Sequence, residues 1–185
     1  MQHENRARVF RLGAEIEDPW RDVADDSEFP NSAHIVVSLQ RFLTDADAFR
    51  ARRAPVGAYL QPDDDPAELA AHLDALGLIV VVFPTFRDGR GFSTARLLRE
   101  RYGYRGELRA RGEILIDQAA FLLRCGFDSL EFNKAVDLEK LNRAVAAIST
   151  IYQPAADGAA PIWARRPPIH GSSGGAEAPD RLRYG

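Results

Sequence analysis

Short apolar runs alternate with segments of helical spacing through the middle of the chain. The runs cover residues 35–39, 56–60, 78–83, 107–111 and 127–132. Each has the length and the β-branched or alternating content of a strand, and a pattern with the period of a helix follows it. About five successive strand–helix units predict parallel strands joined by right-handed crossovers. We therefore predict an α/β fold with a mainly parallel sheet, either open or a partial barrel, covered by helices.

The predicted helices cover about 44–53, 65–77, 93–103, 117–126 and 138–148. Capping residues or glycines mark most of their ends, such as Ser93 at the start of the third helix and Gly126 at the end of the fourth. We expect the third helix to bury Leu97 and Leu98. The fourth carries Phe121 among its apolar residues.

Composition divides the chain into three parts. Residues 1–33 are polar and predict a mobile N-terminal arm, in which residues 9–12 have the pattern of an edge strand and Trp20 is a candidate anchor. Residues 34–153 form the predicted single α/β domain. Residues 154–185 are rich in proline, glycine and serine and predict a flexible tail.

Charge and residue counts exclude several classes of protein. The 185 residues carry a net charge of -3, which gives no global basic field for nucleic acid. The longest apolar run is shorter than a membrane span, and no signal segment follows Met1, so we expect a cytoplasmic protein without a membrane partner. The single cysteine, Cys125, can form neither an internal disulfide nor a CxxC pair. The four histidines lack the spacing of metal ligands, and we predict no metal site.

The loop after the third predicted strand combines arginines, glycines and a helix start. Its candidate anion-binding residues are Arg87, Asp88, Gly89, Arg90, Gly91 and Ser93. Guanidinium groups and free backbone N–H groups at a helix start can together bind sulfate, sulfite, phosphate or carboxylate. The structural alternative is that Asp88-Gly89 forms a turn, Ser93 caps the helix, and the arginines are solvated or pair with Asp88.

Four further residues are candidates on the last two strand–helix units. Arg109 alternates with apolar neighbours on the fourth strand, and its burial would require partners for the guanidinium. Asp117 and Gln118 follow that strand, where Asp117 is either a first-turn acid or a general acid/base, and Gln118 a candidate substrate ligand. Asp128 in the last strand carries the same ambiguity as Asp117.

Short cofactor motifs are missing from the sequence. Gly89 and Gly91 begin a GxGxxG pattern, but Thr94 occupies the third glycine position. The sequence also contains no GxxxxGK[ST] phosphate loop and no nucleophile elbow. The cofactor therefore remains unknown at this stage, and Cys125 is read as a packed thiol rather than a nucleophile.

The block from Phe83 to Ser93, with 95–99 and 104–110 behind it, resembles a bacterial family of unknown function, DUF934. The likeness continues through Gly112, 117–118 and 124–128, covers roughly residues 20–135 and leaves the tail outside. Members of that family are often labelled oxidoreductases of sulfite reduction and are typically encoded beside sulfite reductase. The resemblance implies a role in sulfur assimilation and brings no catalytic residues with it.

Three hypotheses follow. The first is an accessory protein of assimilatory sulfite reduction that binds a small oxyanion or sulfite reductase itself. The second is an enzyme, such as an oxidoreductase of sulfur metabolism, with Asp117 or Asp128 as acid/base and Arg90 and Arg109 on the substrate. The third is a structural or protein-interaction module. The open edges of a five-strand sheet need cover, either from a second copy in a homodimer or from the arginine-rich strand ends.

Overall fold

The computed structural model describes residues 8–11 and 14–146. These residues contain eight strands and five α-helices. The strands are β1 (Arg8–Arg11), β2 (Ala14–Ile16), β3 (Trp20–Asp22), β4 (His34–Ser38), β5 (Val56–Leu60), β6 (Leu76–Phe83), β7 (Glu107–Gly112) and β8 (Ser129–Phe132). The helices are α1 (Leu39–Thr44), α2 (Ala46–Arg50), α3 (Arg90–Arg96), α4 (Ala119–Arg124) and α5 (Leu138–Ala146). The predicted tail, 154–185, and the end of the last predicted helix, 147–148, lie outside the described residues.

All eight strands join one curled, half-barrel sheet in the order β2-β1-β8-β7-β6-β5-β4-β3. The pairs from β3 through β8 are parallel, whereas β1 pairs antiparallel with both β8 and β2. The α/β class is confirmed, and each of the five predicted apolar runs overlaps a strand. No helix in the described ranges is long and apolar enough to cross a membrane.

The prediction of a mobile N-terminal arm is wrong for its described residues, because β1, β2 and β3 all belong to the sheet. β1 lies between β2 and β8 rather than at an edge. Val9 and Phe10 are buried there, and burial of these apolar side chains stabilises the strand. Trp20 is an anchor, as expected: its ring packs on a cluster of Val36, Leu78 and Val80.

Residues 17–19 connect the two opposite edges of the sheet. β2 and β3 are its outermost strands, yet they follow each other in sequence. An extended chain spans at most about 3.6 Å per residue, so the Cα atoms of Ile16 and Trp20 lie within about 14 Å of each other. Eight strands in a flat sheet would place the outer two about 34 Å apart at a spacing of about 4.8 Å. The short connection therefore requires the sheet to curl.

The two faces of the sheet differ in chemistry. The helices pack on one face over the main core, which includes Ile79, Val81, Leu108 and Ala110. Because side chains alternate along a strand, the residues between these positions point to the opposite face. That second face carries the apolar Val36, Leu78 and Val80 on β4 and β6 and charged side chains on β7 and β8.

Two predicted helices take a different form. In place of a helix over 65–77, 3₁₀ turns cover Pro66–Leu69 and Leu73–Ala75, and β6 begins at Leu76. The Asp65 side chain accepts from the N–H of Ala67 as a cap should, but the turns that follow are 3₁₀, and Leu76, expected inside the helix, pairs with Val56 as the first residue of β6. The helix predicted over 44–53 is present in shorter form as α2, with Asp45 rather than Thr44 at its N-cap, whereas α1 before it, which Ser38 caps, was not predicted.

Candidate functional site

Residues 84–93, which we call the glycine–arginine loop, connect β6 to α3 and include the first turn of α3. They lie where the parallel strands have their carboxyl ends, which we call the carboxyl edge of the sheet; the amino edge is the opposite one. Helix α3 begins at Arg90, with Gly89 at the N-cap. The prediction that Ser93 opens this helix is therefore wrong: Ser93 lies inside α3 and is exposed. The backbone already becomes helical at Gly89, so the Ser93 hydroxyl cannot cap the helix start.

Arg90 is paired with two carboxylates. Its Nε and Nη2 donate to the two oxygens of Asp88 at 3.0 and 2.8 Å, and its Nη1 donates to Asp63 Oδ1 at 2.5 Å. These hydrogen bonds raise the pKa of Arg90 and hold the pKa of Asp88 below its ordinary value. An incoming oxyanion would have to displace both acids. The structural alternative for this arginine, pairing with Asp88, is what the structure contains.

The two glycines of the loop have different roles. A Cβ on Gly91 would lie 2.5 Å from the buried Phe83 ring, so this position needs glycine for packing. A Cβ on Gly89 would meet nothing within 4 Å, and its φ of -81° suits any residue. Neither glycine requires a ligand to explain it.

Gln118 joins the next loop of the sheet to this one. Its Nε2 donates to the carbonyl of Phe86 at 3.1 Å, and its Oε1 accepts from the N–H of Leu115 at 3.0 Å. Arg87 stacks on the Phe86 ring, with its guanidinium carbon 5.4 Å from the ring centre. Gln118 thus lies beside the glycine–arginine loop, as the candidate site requires, but it is occupied with backbone groups.

Large apolar side chains surround this junction and face solvent. Phe86, Leu115 and Phe121 are 45%, 46% and 50% exposed. The ring of Phe121 packs on that of Phe92, with centres 5.0 Å apart, and Phe92 packs in turn on the buried Phe83. We call Phe86, Phe92, Leu115 and Phe121 the rim patch. Phe121 and Phe92 are thus held against the core through the contact of Phe92 with Phe83.

Arg109 lies elsewhere, fully buried on the second face of the sheet. It donates to both carboxylate oxygens of Asp18 at 2.8 and 3.0 Å and to Glu107 Oε1 at 3.0 Å, and it lies 3.3 Å from Glu131. Burial alone would lower the pKa of Arg109, but the bonds to Asp18 and Glu107 raise it. The partners that its burial requires are present, and they leave no room for a substrate anion.

Asp117 lies at the carboxyl edge of the sheet and Asp128 at the amino edge. Asp128 precedes β8, and its Oδ2 accepts from Arg99 at 2.5 Å and from the N–H of Leu108 at 2.8 Å. Asp117 follows β7 and is exposed on the turn that leads into α4. Because β7 runs between them, the two acids cannot serve one site. Only Asp117 shares the carboxyl edge with the glycine–arginine loop.

A family model described as "Bacterial protein of unknown function (DUF934)" matches residues 57–163, more than half of the chain. This chain belongs to the DUF934 family. The expected limits of the likeness, 20 to 135, are wrong at both ends, since the match starts in β5 and includes the first residues of the predicted tail. No curated protein was found to match the sequence.

The DUF934 match includes the whole glycine–arginine loop, the rim patch and Arg109, whereas Asp18 and Trp20 precede it. Sequence reasoning missed the exposure of Phe121 because five of the six residues of α4, AAFLLR, are apolar. Periodicity cannot identify the exposed face of such a helix. Leu97, expected to be buried, is also exposed, at the first residue of the π-helical turn Leu97–Arg101 that follows α3.

Proposed function

We propose that this DUF934 protein is a cytoplasmic accessory protein of assimilatory sulfite reduction that acts by binding sulfite reductase. The support for that process is that members of the DUF934 family are typically encoded beside sulfite reductase and are often labelled accordingly. The rim patch is the observation that carries the choice of a protein partner. Large apolar side chains that cluster on a surface are characteristic of protein–protein interfaces, and aromatic residues are enriched in them.

The charges at the carboxyl edge favour a protein partner over a free oxyanion there. Arg90 is bound by Asp88 and Asp63, and the loop that carries Asp63 continues with Asp64 and Asp65. A small dianion would meet this negative potential, whereas a protein surface can bury the rim patch and place its own basic side chains beside the acids.

A binding experiment with purified sulfite reductase haemoprotein tests the proposal. We expect wild-type protein to form a complex, measured by isothermal titration calorimetry. Phe86→Ser combined with Phe121→Ser should weaken it by tenfold or more, because truncating central aromatic residues of an interface costs about 2 kcal/mol or more. Both side chains are half-exposed, so the variant should keep its fold.

Leu97→Ser is the matched control, because it removes an exposed apolar side chain from the segment after α3 and leaves the rim patch intact. Equal affinity of the wild type and the double variant would contradict the role of the rim patch. Absence of binding by the wild type would contradict the proposed partner.

A further inference from the structure

A cavity lies at the amino ends of the parallel strands, at the edge of the sheet opposite the rim patch. It has a volume of about 890 Å³ and lies between residues 31–34, which lead into β4, and residues 48–55, which lead into β5. Its polar lining consists of Asn31, Ser32, His34, Arg52 and Arg53, and alanines and Pro55 complete it. The lining contains no carboxylate, unlike the glycine–arginine loop.

Arg52 is held in place with part of its hydrogen-bonding capacity unused. Its Nη2 donates to the carbonyls of Pro30 and Ala33 at 3.0 and 2.8 Å, and the Phe29 ring lies 5.0 Å from its guanidinium carbon. Its Nε and Nη1 are buried without an acceptor. Burial lowers the pKa of Arg52, and no carboxylate in the described ranges pairs with it. A buried donor without an acceptor is rare in proteins and calls for an explanation such as a bound water or ion.

Other polar groups line the same cavity. The Nδ1 of His34 is buried without a partner, and Arg53 is exposed with no carboxylate paired to it among the described residues. An adjoining pocket contains an acid, Asp74. Asp74 pairs with Arg50 at 3.6 Å and with neither Arg52 nor Arg53. The cavity therefore combines two uncompensated guanidinium groups with imidazole, hydroxyl and amide groups.

We infer that this cavity binds a small oxyanion of the sulfate, sulfite or phosphate class through Arg52 and Arg53. The contacts of Arg52 with Pro30, Ala33 and Phe29 fix the plane of its guanidinium, which lowers the entropic cost of binding. An oxyanion supplies the acceptors that these donors lack, and charge-assisted hydrogen bonds are the strong ones. This inference places the oxyanion away from Arg90 and is independent of the rim patch and its partner.

The test is titration of the purified full chain with sodium sulfate, phosphate and sulfite, each against sodium chloride at matched ionic strength. We expect saturable binding by calorimetry and a rise in Tm of about 5 °C near saturation for at least one of the three anions. Arg53→Gln should weaken this binding about tenfold or more, because it removes a charged donor. Arg53 makes no structural hydrogen bond in the described residues, so the variant should keep its fold.

Arg52→Gln should also remove binding, although the loss of its bonds to Pro30 and Ala33 is expected to lower Tm without ligand. Arg90→Gln is the control at the other edge and should bind as the wild type does. The inference is overturned if none of the three anions binds more than chloride does. It is also overturned if binding survives Arg53→Gln unchanged or is lost in Arg90→Gln.

Discussion

At the scale of single residues, carboxylates decide which arginines are available to a ligand. Arg90 and Arg109 were candidates because guanidinium groups bind anions, and both are instead held by acids of this chain. The sequence cannot reveal this pairing, because Asp18 is 91 residues from Arg109 and Asp63 is 27 residues from Arg90. The sequence does indicate that a buried Arg109 needs partners, because an unpaired buried charge is costly, but it does not indicate which residues these partners are.

The buried cluster around Arg109 gives a prediction for stability. Arg109→Met should lower the free energy of unfolding by about 3 kcal/mol at pH 7, because Asp18 would lose its bidentate partner and the buried Glu107 and Glu131 would keep only Arg11 and Arg111 as cations. Urea denaturation measures the loss. Arg87→Met, at an exposed arginine stacked on Phe86, is the control and should change stability by less than about 0.5 kcal/mol. Equal losses in the two variants would contradict this account.

The same deficit should depend on pH. Burial alone would raise the pKa of Glu107, but a hydrogen bond from Ser129 and the charge of Arg109 hold it below its ordinary value. A lowered carboxyl pKa stabilises the native protein above the unfolded pKa, and this contribution disappears as the pH falls through the folded pKa. The difference between wild type and Arg109→Met should therefore shrink as the pH falls below about 5. A constant difference down to pH 3 would assign the loss to packing instead.

At the scale of elements, strands with a strong local pattern were predictable and the remaining elements were not. The runs at β4 to β8 are apolar or alternate clearly, and all five predictions overlap the observed strands. β2 and β3 have three residues each, largely exposed, and form through pairing with distant partners. Such pairing has no local signature.

The glycines of the loop before α3 provide a matched test at this scale. Gly91→Ala should lower the free energy of unfolding by about 1–3 kcal/mol, because the added Cβ overlaps the ring of Phe83 in the core. Gly89→Ala should be neutral or slightly stabilising, because the site is open and alanine restricts the unfolded chain. Thermal denaturation of both variants measures these two changes in stability. If Gly89→Ala abolished reductase binding while remaining stable, the backbone there would contact the partner.

At the scale of the whole molecule, the connection through residues 17–19 determines the shape of the sheet. Asp18 on this connection bonds to Arg109, and Trp20 just after it covers Val36, Leu78 and Val80. The homodimer hypothesis was based on the open edges of five strands. β1 covers β8 and β3 covers β4, so the edges that called for a second copy are occupied within the chain.

Trp20→Ala tests how far this connection holds the molecule together. We expect a loss of about 2–3 kcal/mol in the free energy of unfolding, since the ring is only partly buried. Amide hydrogens of β3 should exchange faster while those of β6 stay protected. Arg21→Ala, at an exposed position on the same strand, should change neither property. Uniformly faster exchange across the whole sheet in Trp20→Ala would show that β3 does not open separately.

The pairing of β1 with β8 also sets the order of events during synthesis. Phe10 pairs with Leu130, which the ribosome adds about 120 residues later. At a translation rate of about 5–20 residues per second, the first strand waits about 6–24 s for its neighbour. During that time Val9 and Phe10, which are buried on opposite faces of β1, lack the neighbouring strand β8. These two apolar side chains therefore stay exposed on the nascent chain until β8 has been synthesised. The described sheet can be completed only after most of the protein has been made.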